Sequence, residues 1–213
     1  MPPITAVAQI FSISTSLIAS GGIACLSVFD IPELQSQPAS QSLPSIRWLF
    51  SRGSHIFPQA AALSSAGFTY LAYNALPTGS RPVIQLLQHG KVPGYLAAAI
   101  LAISVAPVTR LMIPTNFRLI KLNEEKGGSR SERNAREGRS KPSGRSAEES
   151  VEGKDGAKEF TDLSGPQSKT TLETSEAENE EVRQLLDKFG KMNATRAVLL
   201  GLGGIVGLST ALL

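Results

Sequence analysis

Residues 4–29 read ITAVAQIFSISTSLIASGGIACLSVF, a stretch without one charged side chain. It exceeds the roughly 20 residues that an α-helix needs to cross the hydrocarbon core of a bilayer. Three more apolar runs follow. Residues 56–76 are uncharged and flanked by Arg52 and Arg81. Residues 92–109 continue past Arg110 to Phe117, and residues 197–213 close the chain. Soluble helices of this length carry a polar face with charges, and these runs do not. The sequence therefore predicts an all-α integral membrane protein. It is a four-helix bundle with spans at about 4–29, 56–76, 92–117 and 197–213.

Residues 4–29 also invite comparison with a secretory signal. They lack its basic start, and their apolar part is longer than usual. Gly22-Ile23-Ala24-Cys25 resembles a lipoprotein cleavage site only superficially, because Gly22 stands where a branched aliphatic residue belongs. An uncleaved span is the better reading.

The 213-residue chain has 21 Lys and Arg against 18 Asp and Glu. Nearly all of them lie between Arg118 and Arg196. The exceptions are Arg47, Arg52, Arg81, Lys91, Arg110, Asp30 and Glu33. This split excludes an ordinary soluble domain, and local matching of the two signs argues against nucleic acid as a partner. Residues 127–180 are rich in Gly, Ser and charge and poor in branched apolar side chains, so they read as a long disordered loop between the third and fourth spans. The basic first half of this loop either pairs with the acidic second half or rests on anionic lipid. The organisation is thus three spans in 1–126, the loop at 127–180, and an amphipathic lead-in with the last span at 181–213. Val182, Leu185, Leu186, Phe189 and Met192 mark one face of that lead-in.

Lys and Arg near span ends favour the cytosol. Arg47 and Arg52 follow the first span, and Arg118, Lys121, Lys126, Lys188, Lys191 and Arg196 border the third and fourth. The 118–196 segment is therefore expected in the cytosol and both termini on the lumenal or outer side. Asn193-Ala194-Thr195 is then a glycosylation sequon on the wrong side of the membrane.

Single Cys25 excludes an internal disulfide, and His55 and His89 are too few for a typical catalytic zinc site. Polar side chains inside the spans carry the remaining information. Thr5, Gln9, Ser12, Ser16 and Ser20 share one face of the first helix, and Ser65, Thr69 and Tyr73 one face of the second, with Tyr70 and Asn74 beside it. Such stripes glue membrane helices together by default; lining a pocket for a flat ligand is the alternative. Gly203 and Gly207, like Ala98, Ala102 and Ala106, read as packing surfaces. Arg110 lies between Pro107 and Pro114, where a kinked helix frees carbonyls; it satisfies one of these or snorkels to the headgroups, with a ligand contact as the alternative. Asn116, Asn193 and Arg196 are expected at one depth on the cytosolic rim.

Several motifs now combine. They are Leu49-Phe50-Ser51-Arg52-Gly53, then Pro58 and Ala72-Tyr73, then Pro107-Val108-Thr109 with Met112-Ile113-Pro114-Thr115-Asn116. The last is Leu185-Leu186 with Phe189-Gly190-Lys191-Met192-Asn193-Ala194-Thr195-Arg196. In order and spacing this set resembles the anthrone oxygenase-like family of small four-span membrane proteins, many of them fungal and encoded with aromatic polyketide pathways. The chain departs from the family in its 127–180 insert and in Phe189, where Trp is expected.

The resemblance implies O2-dependent oxidation of an anthrone to an anthraquinone, a monooxygenase reaction of secondary metabolism. No metal or flavin cofactor is implied; O2 is the co-substrate. The partners implied are the lipid bilayer and a flat aromatic polyketide. An anthrone methylene is acidic because its anion is aromatic, and that anion reduces O2 directly. The protein supplies a base, a stabiliser for the oxyanion and a dry pocket. His55 is the base candidate, against the alternative of an interfacial histidine. Arg196, Asn193 and Asn116 are the stabilisers, and Tyr73, Tyr70 and Arg110 the substrate contacts. The competing class is a non-catalytic four-span scaffold or accessory protein for pathway enzymes.

Overall fold

The computed structural model describes residues 3–77, 89–137 and 162–213. Among these every regular element is a helix, and there is no strand. Helix α1 spans Pro3–Cys25, and a π turn, Leu26–Asp30, leads into the short α2, Ile31–Ser36. Helix α3 runs Ala39–Asn74, α4 Val92–Ile103 and α5 Val105–Glu125. One turn of helix, α6, covers Glu132–Arg136, and α7 covers Glu176–Leu212. Arg81 and residues 138–161 of the expected loop lie outside the described residues.

Three stretches, Pro3–Ser36, Val92–Glu125 and Glu176–Leu212, are long and apolar enough to cross a membrane. The expected second span, 56–76, forms the second half of α3 as far as Asn74 but is not among them. Gln59, Thr69, Tyr70, Tyr73 and Asn74 dilute its apolar character. The third expected span is two helices, broken at Ser104. The cause is Pro107: its missing N–H would have bonded to Ile103, and its ring crowds that carbonyl. Pro114, by contrast, sits inside α5.

The chain divides into two compact units. The first comprises residues 1–25, 57–109 and 193–213. Its α1 exposes large apolar side chains while two of its serines are buried beside Ile13, Ala19 and Ile23. Ile4, Val7, Ile10, Phe11 and Ile18 are exposed, whereas Ser12 and Ser16 are fully buried. Exposed apolar side chains suit a lipid solvent, in which hydroxyls turn inward toward partners in the protein. Ser16 Oγ donates to the Leu200 carbonyl at 2.7 Å and Ser20 Oγ to that of Ala197 at 2.7 Å. Gln9 Nε2 donates to the Tyr95 hydroxyl at 2.7 Å, and Ser65 Oγ to the Ala99 carbonyl at 3.0 Å. The glycines of α7 are contact points. A Cβ at Gly203 would lie 3.1 Å from the Ala98 carbonyl, and one at Gly204 2.7 Å from Leu17. One at Gly207 would run into the Phe68 ring. The polar stripe and the glycine face thus act as packing surfaces.

The second unit comprises residues 26–56 and 110–192. Residues 30–55, expected as a loop, are helical in α2 and the first half of α3. Leu43 and Ile46 are buried there, and Phe50 stacks edge-on against Phe189 at 5.1 Å; their 3- and 4-residue spacing is helical. The first N–H groups of α3 lack intrahelical acceptors. Asn179 Oδ1 accepts from Ala39 N at 2.9 Å, and Thr174 Oγ1 from Ser40 N at 3.2 Å. Helix α7 starts at Glu176, ahead of the expected 181, because Ser175 and Glu178 form a capping box: Glu178 Oε2 accepts from Ser175 N at 2.8 Å and Ser175 Oγ from Glu178 N at 3.3 Å. Helix α5 ends in a Schellman motif. Gly127 has φ +73°, and Gly128 N donates to the Asn123 carbonyl at 2.7 Å. Arg118 pairs with Glu181 at 2.7 Å and Lys126 with Glu178 at 2.6 Å. The described flanks of the expected disordered segment, 127–137 and 162–180, are therefore held by specific bonds.

Candidate functional site

Two of the residues singled out in the sequence meet directly. Asn193 and Arg196 stand three apart on α7, hence on one helix face. Asn193 is 1% exposed and Arg196 7%. Arg196 Nη1 donates to Asn193 Oδ1 at 3.0 Å, and Asn193 Nδ2 donates to the Ile23 carbonyl at 3.2 Å. The asparagine is therefore a relay that uses both ends of its amide. Ile23 lies in the last turn of α1, just ahead of the π turn, where the hydrogen-bond ladder changes register. Ile23, Ala197 and Leu200 belong to a buried apolar cluster. A guanidinium in such surroundings is a fixed positive charge with little water to screen it.

Asn116, His55 and Arg110 belong to the other unit. Asn116 Oδ1 is buried without a hydrogen-bond partner among the described residues. In the same motif Met112 and Thr115 are buried, while Ile113 and Pro114 face outward. His55 is half-buried and Arg110 exposed. Tyr73 is 72% exposed and Tyr70 also faces outward. The buried tyrosine is Tyr95, which the sequence reading did not single out.

A second polar cluster was also missed. Trp48 and Arg52 stand one turn apart on α3, with the Arg52 guanidinium 3.8 Å from the centre of the indole. Arg52 Nη2 donates to the carbonyls of Asp162 at 2.8 Å and Ser164 at 3.2 Å. Trp48 Nε1 donates to the Ser164 carbonyl at 3.0 Å. The Asp162 carboxylate accepts from Ser131 Oγ at 2.5 Å, Ser164 Oγ at 2.6 Å and Ser164 N at 3.0 Å. Burial pushes the Asp162 carboxyl up, but the bonds from Ser131 and Ser164 and the charge of Arg133 outweigh it and hold the group below the usual carboxylate range. Beside this cluster opens a cleft of about 190 Å³, lined by Asp30, Glu33, Leu34, Ser45, Trp48, Leu49 and Pro166. The sequence signal was present: the only tryptophan of the chain sits between Arg47 and Arg52.

No group of His, Cys, Asp and Glu side chains that could hold a metal ion occurs among the described residues. No curated protein and no solved structure matches the chain. The family model described as Anthrone oxygenase matches residues 47–149. That stretch takes in Trp48, Arg52, His55, Tyr70, Tyr73, Arg110 and the Met112–Asn116 motif. Together with the three helices apolar enough for a membrane, this match supports membership in the anthrone oxygenase-like family.

Proposed function

We propose that the protein is a membrane-bound oxygenase that oxidises an anthrone-type aromatic polyketide to an anthraquinone with O2. The family match over 47–149 carries this reading, and the buried Arg196–Asn193 pair supports it. The reaction balances without another reductant: the methylene carbon takes one oxygen atom as a carbonyl, and its two hydrogens leave with the other as water. Loss of a proton gives the aromatic oxyanion, which the charge of Arg196 favours and Asn193 orients. His55 is proposed as the proton acceptor, the role histidine fills most often. No metal or flavin enters the proposed reaction.

A non-catalytic scaffold is the second reading, and one observation favours it. In the first unit, side chains and backbone from neighbouring helices occupy the space beside Gly201, Gly203, Gly204 and Gly207. Isolated membranes supplied with an anthrone and O2 decide between the two readings. Quinone formed with matching O2 uptake supports the oxygenase; none, from protein that is inserted at normal levels, supports the scaffold.

A further inference from the structure

Residues 162–166 touch α3 in an unusual way. The hydrogen bonds from Trp48 and Arg52 to them end on main-chain oxygens, the carbonyls of Asp162 and Ser164. The segment's large apolar side chain, Leu163, is 91% exposed and glues it to nothing. Its shape comes from elsewhere. The Asp162 carboxylate ties it to Ser131 at the N-cap of α6, and Glu132 N donates to the Gly165 carbonyl at 2.9 Å. The segment and α6 thus form one self-held piece, attached to α3 by polar bonds that water or a ligand can replace. On the α3 side, an indole and a guanidinium together accept any flat group that presents oxygens. The cleft beside Trp48 and Leu49 is walled by Pro166 of the same segment, so its departure widens that cleft.

We infer that residues 162–166 are a releasable strap over a ligand site. Trp48 and Arg52 form the floor of that site, which takes a planar aromatic compound with carbonyl or phenolate oxygens along one edge. The ligand class rests on the oxygenase reading above; the strap does not. In the closed state the strap's two carbonyls occupy the donors that the ligand's oxygens would use. Affinity then falls by the fraction of molecules that are open.

Trp48 is the only tryptophan, so its emission reports the strap directly. The test uses the full chain in detergent, with a dihydroxyanthraquinone whose two hydroxyls flank one carbonyl as the probe. Asp162→Ala is expected to shift Trp48 emission to longer wavelength and to tighten probe binding about tenfold or more. Ser131→Ala, which removes a single bond, is expected to fall between wild type and Asp162→Ala. Adding Arg52→Gln to Asp162→Ala is expected to abolish the gain in affinity. Unchanged emission in Asp162→Ala would overturn the strap. Shifted emission with wild-type affinity would overturn the ligand site. Membranes of every variant failing to oxidise an anthrone, while the probe still binds more tightly on release, would sink the proposed reaction and leave the strap standing.

Discussion

Arg196 carries the chemistry proposed for the protein, and its surroundings make it informative at the scale of one residue. A guanidinium 7% exposed, held by Asn193, is oriented as well as charged. Removing one donor that stabilises a developing oxyanion typically lowers turnover by about 10²–10³. Arg196→Gln is expected to lose quinone formation by that factor while inserting normally. Arg196→Lys keeps the charge but not the planar fork, so it should recover only part of the rate. An anchor that merely meets lipid headgroups predicts full activity in both variants. Immunoblotting of the membrane fraction beside the rate assay separates the two. Gly127 offers a control that touches no proposed chemistry. At φ +73° it ends α5, and an added Cβ would also lie 2.9 Å from Thr171 Oγ1. Gly127→Ala should cost about 1 kcal/mol or somewhat more, measured as a lower denaturation midpoint with the rate unchanged at permissive temperature.

At the scale of elements, α7 is built in two styles that should respond differently to mutation. Its start is a polar cap, and Ser175→Ala should cost about 1 kcal/mol. Its glycine face is a steric fit, and Gly207→Leu must displace the Phe68 ring, a cost of about 1–3 kcal/mol or more. Comparing thermal midpoints of the two variants in detergent tests that ranking. The strap has its own signature in pH. Asp162 has a lowered carboxyl pKa, so its bonds stabilise the strap above the ordinary value near 4, and that contribution is lost as pH falls through the folded value. Trp48 emission should therefore hold steady from neutral pH to about pH 4 and shift only in stronger acid; a shift between pH 5 and 7 would contradict the assignment. These elements also show what was legible in the sequence. Spans read well because bilayer length and apolar runs are coarse signals, as with 4–29 and 92–117. The cap was equally present, as Ser175-Glu176-Ala177-Glu178, yet the surrounding charge run concealed it. The strap was not readable. It is made of serine hydroxyls and of backbone carbonyls that lie 110 to 116 residues from the Arg52 and Trp48 donors they meet, and composition carries no trace of such pairings. At the site, the three-residue spacing of Asn193 and Arg196 foretold their meeting, but nothing in the sequence marked Ile23 as the carbonyl beneath them.

For the whole molecule, hydrogen bonds within the second unit constrain how often the chain crosses a membrane. Asn179 and Thr174 cap the first residues of α3, and Thr170 N donates to the Ser40 carbonyl at 2.7 Å. Residues 39–40 and 170–179 must therefore stand on the same side of the bilayer. Any crossings between them are then even in number, and the Val92–Glu125 stretch is long and apolar enough to supply one. The second falls to α3, whose polar stripe is turned partly inward, where Ser65 Oγ bonds to the Ala99 carbonyl. A helix with an inward polar face needs less apolarity to cross, because its partners satisfy those groups. The expectation is therefore four crossings, with the Lys and Arg bias predicting residues 118–196 on the cytosolic side. We expect Ser36→Cys and Ser168→Cys, each in a Cys25→Ser background, to be labelled from the cytosolic side of sealed vesicles by an impermeant reagent. His89→Cys should be labelled only from the opposite side. All three side chains are exposed or lie in exposed positions, so access is set by sidedness rather than packing. A chain crossing three times without α3 would instead put Ser36 and His89 together and Ser168 across from them. That pattern would also break the caps of α3, since Asn179 does not reach Ala39 through roughly 30 Å of hydrocarbon.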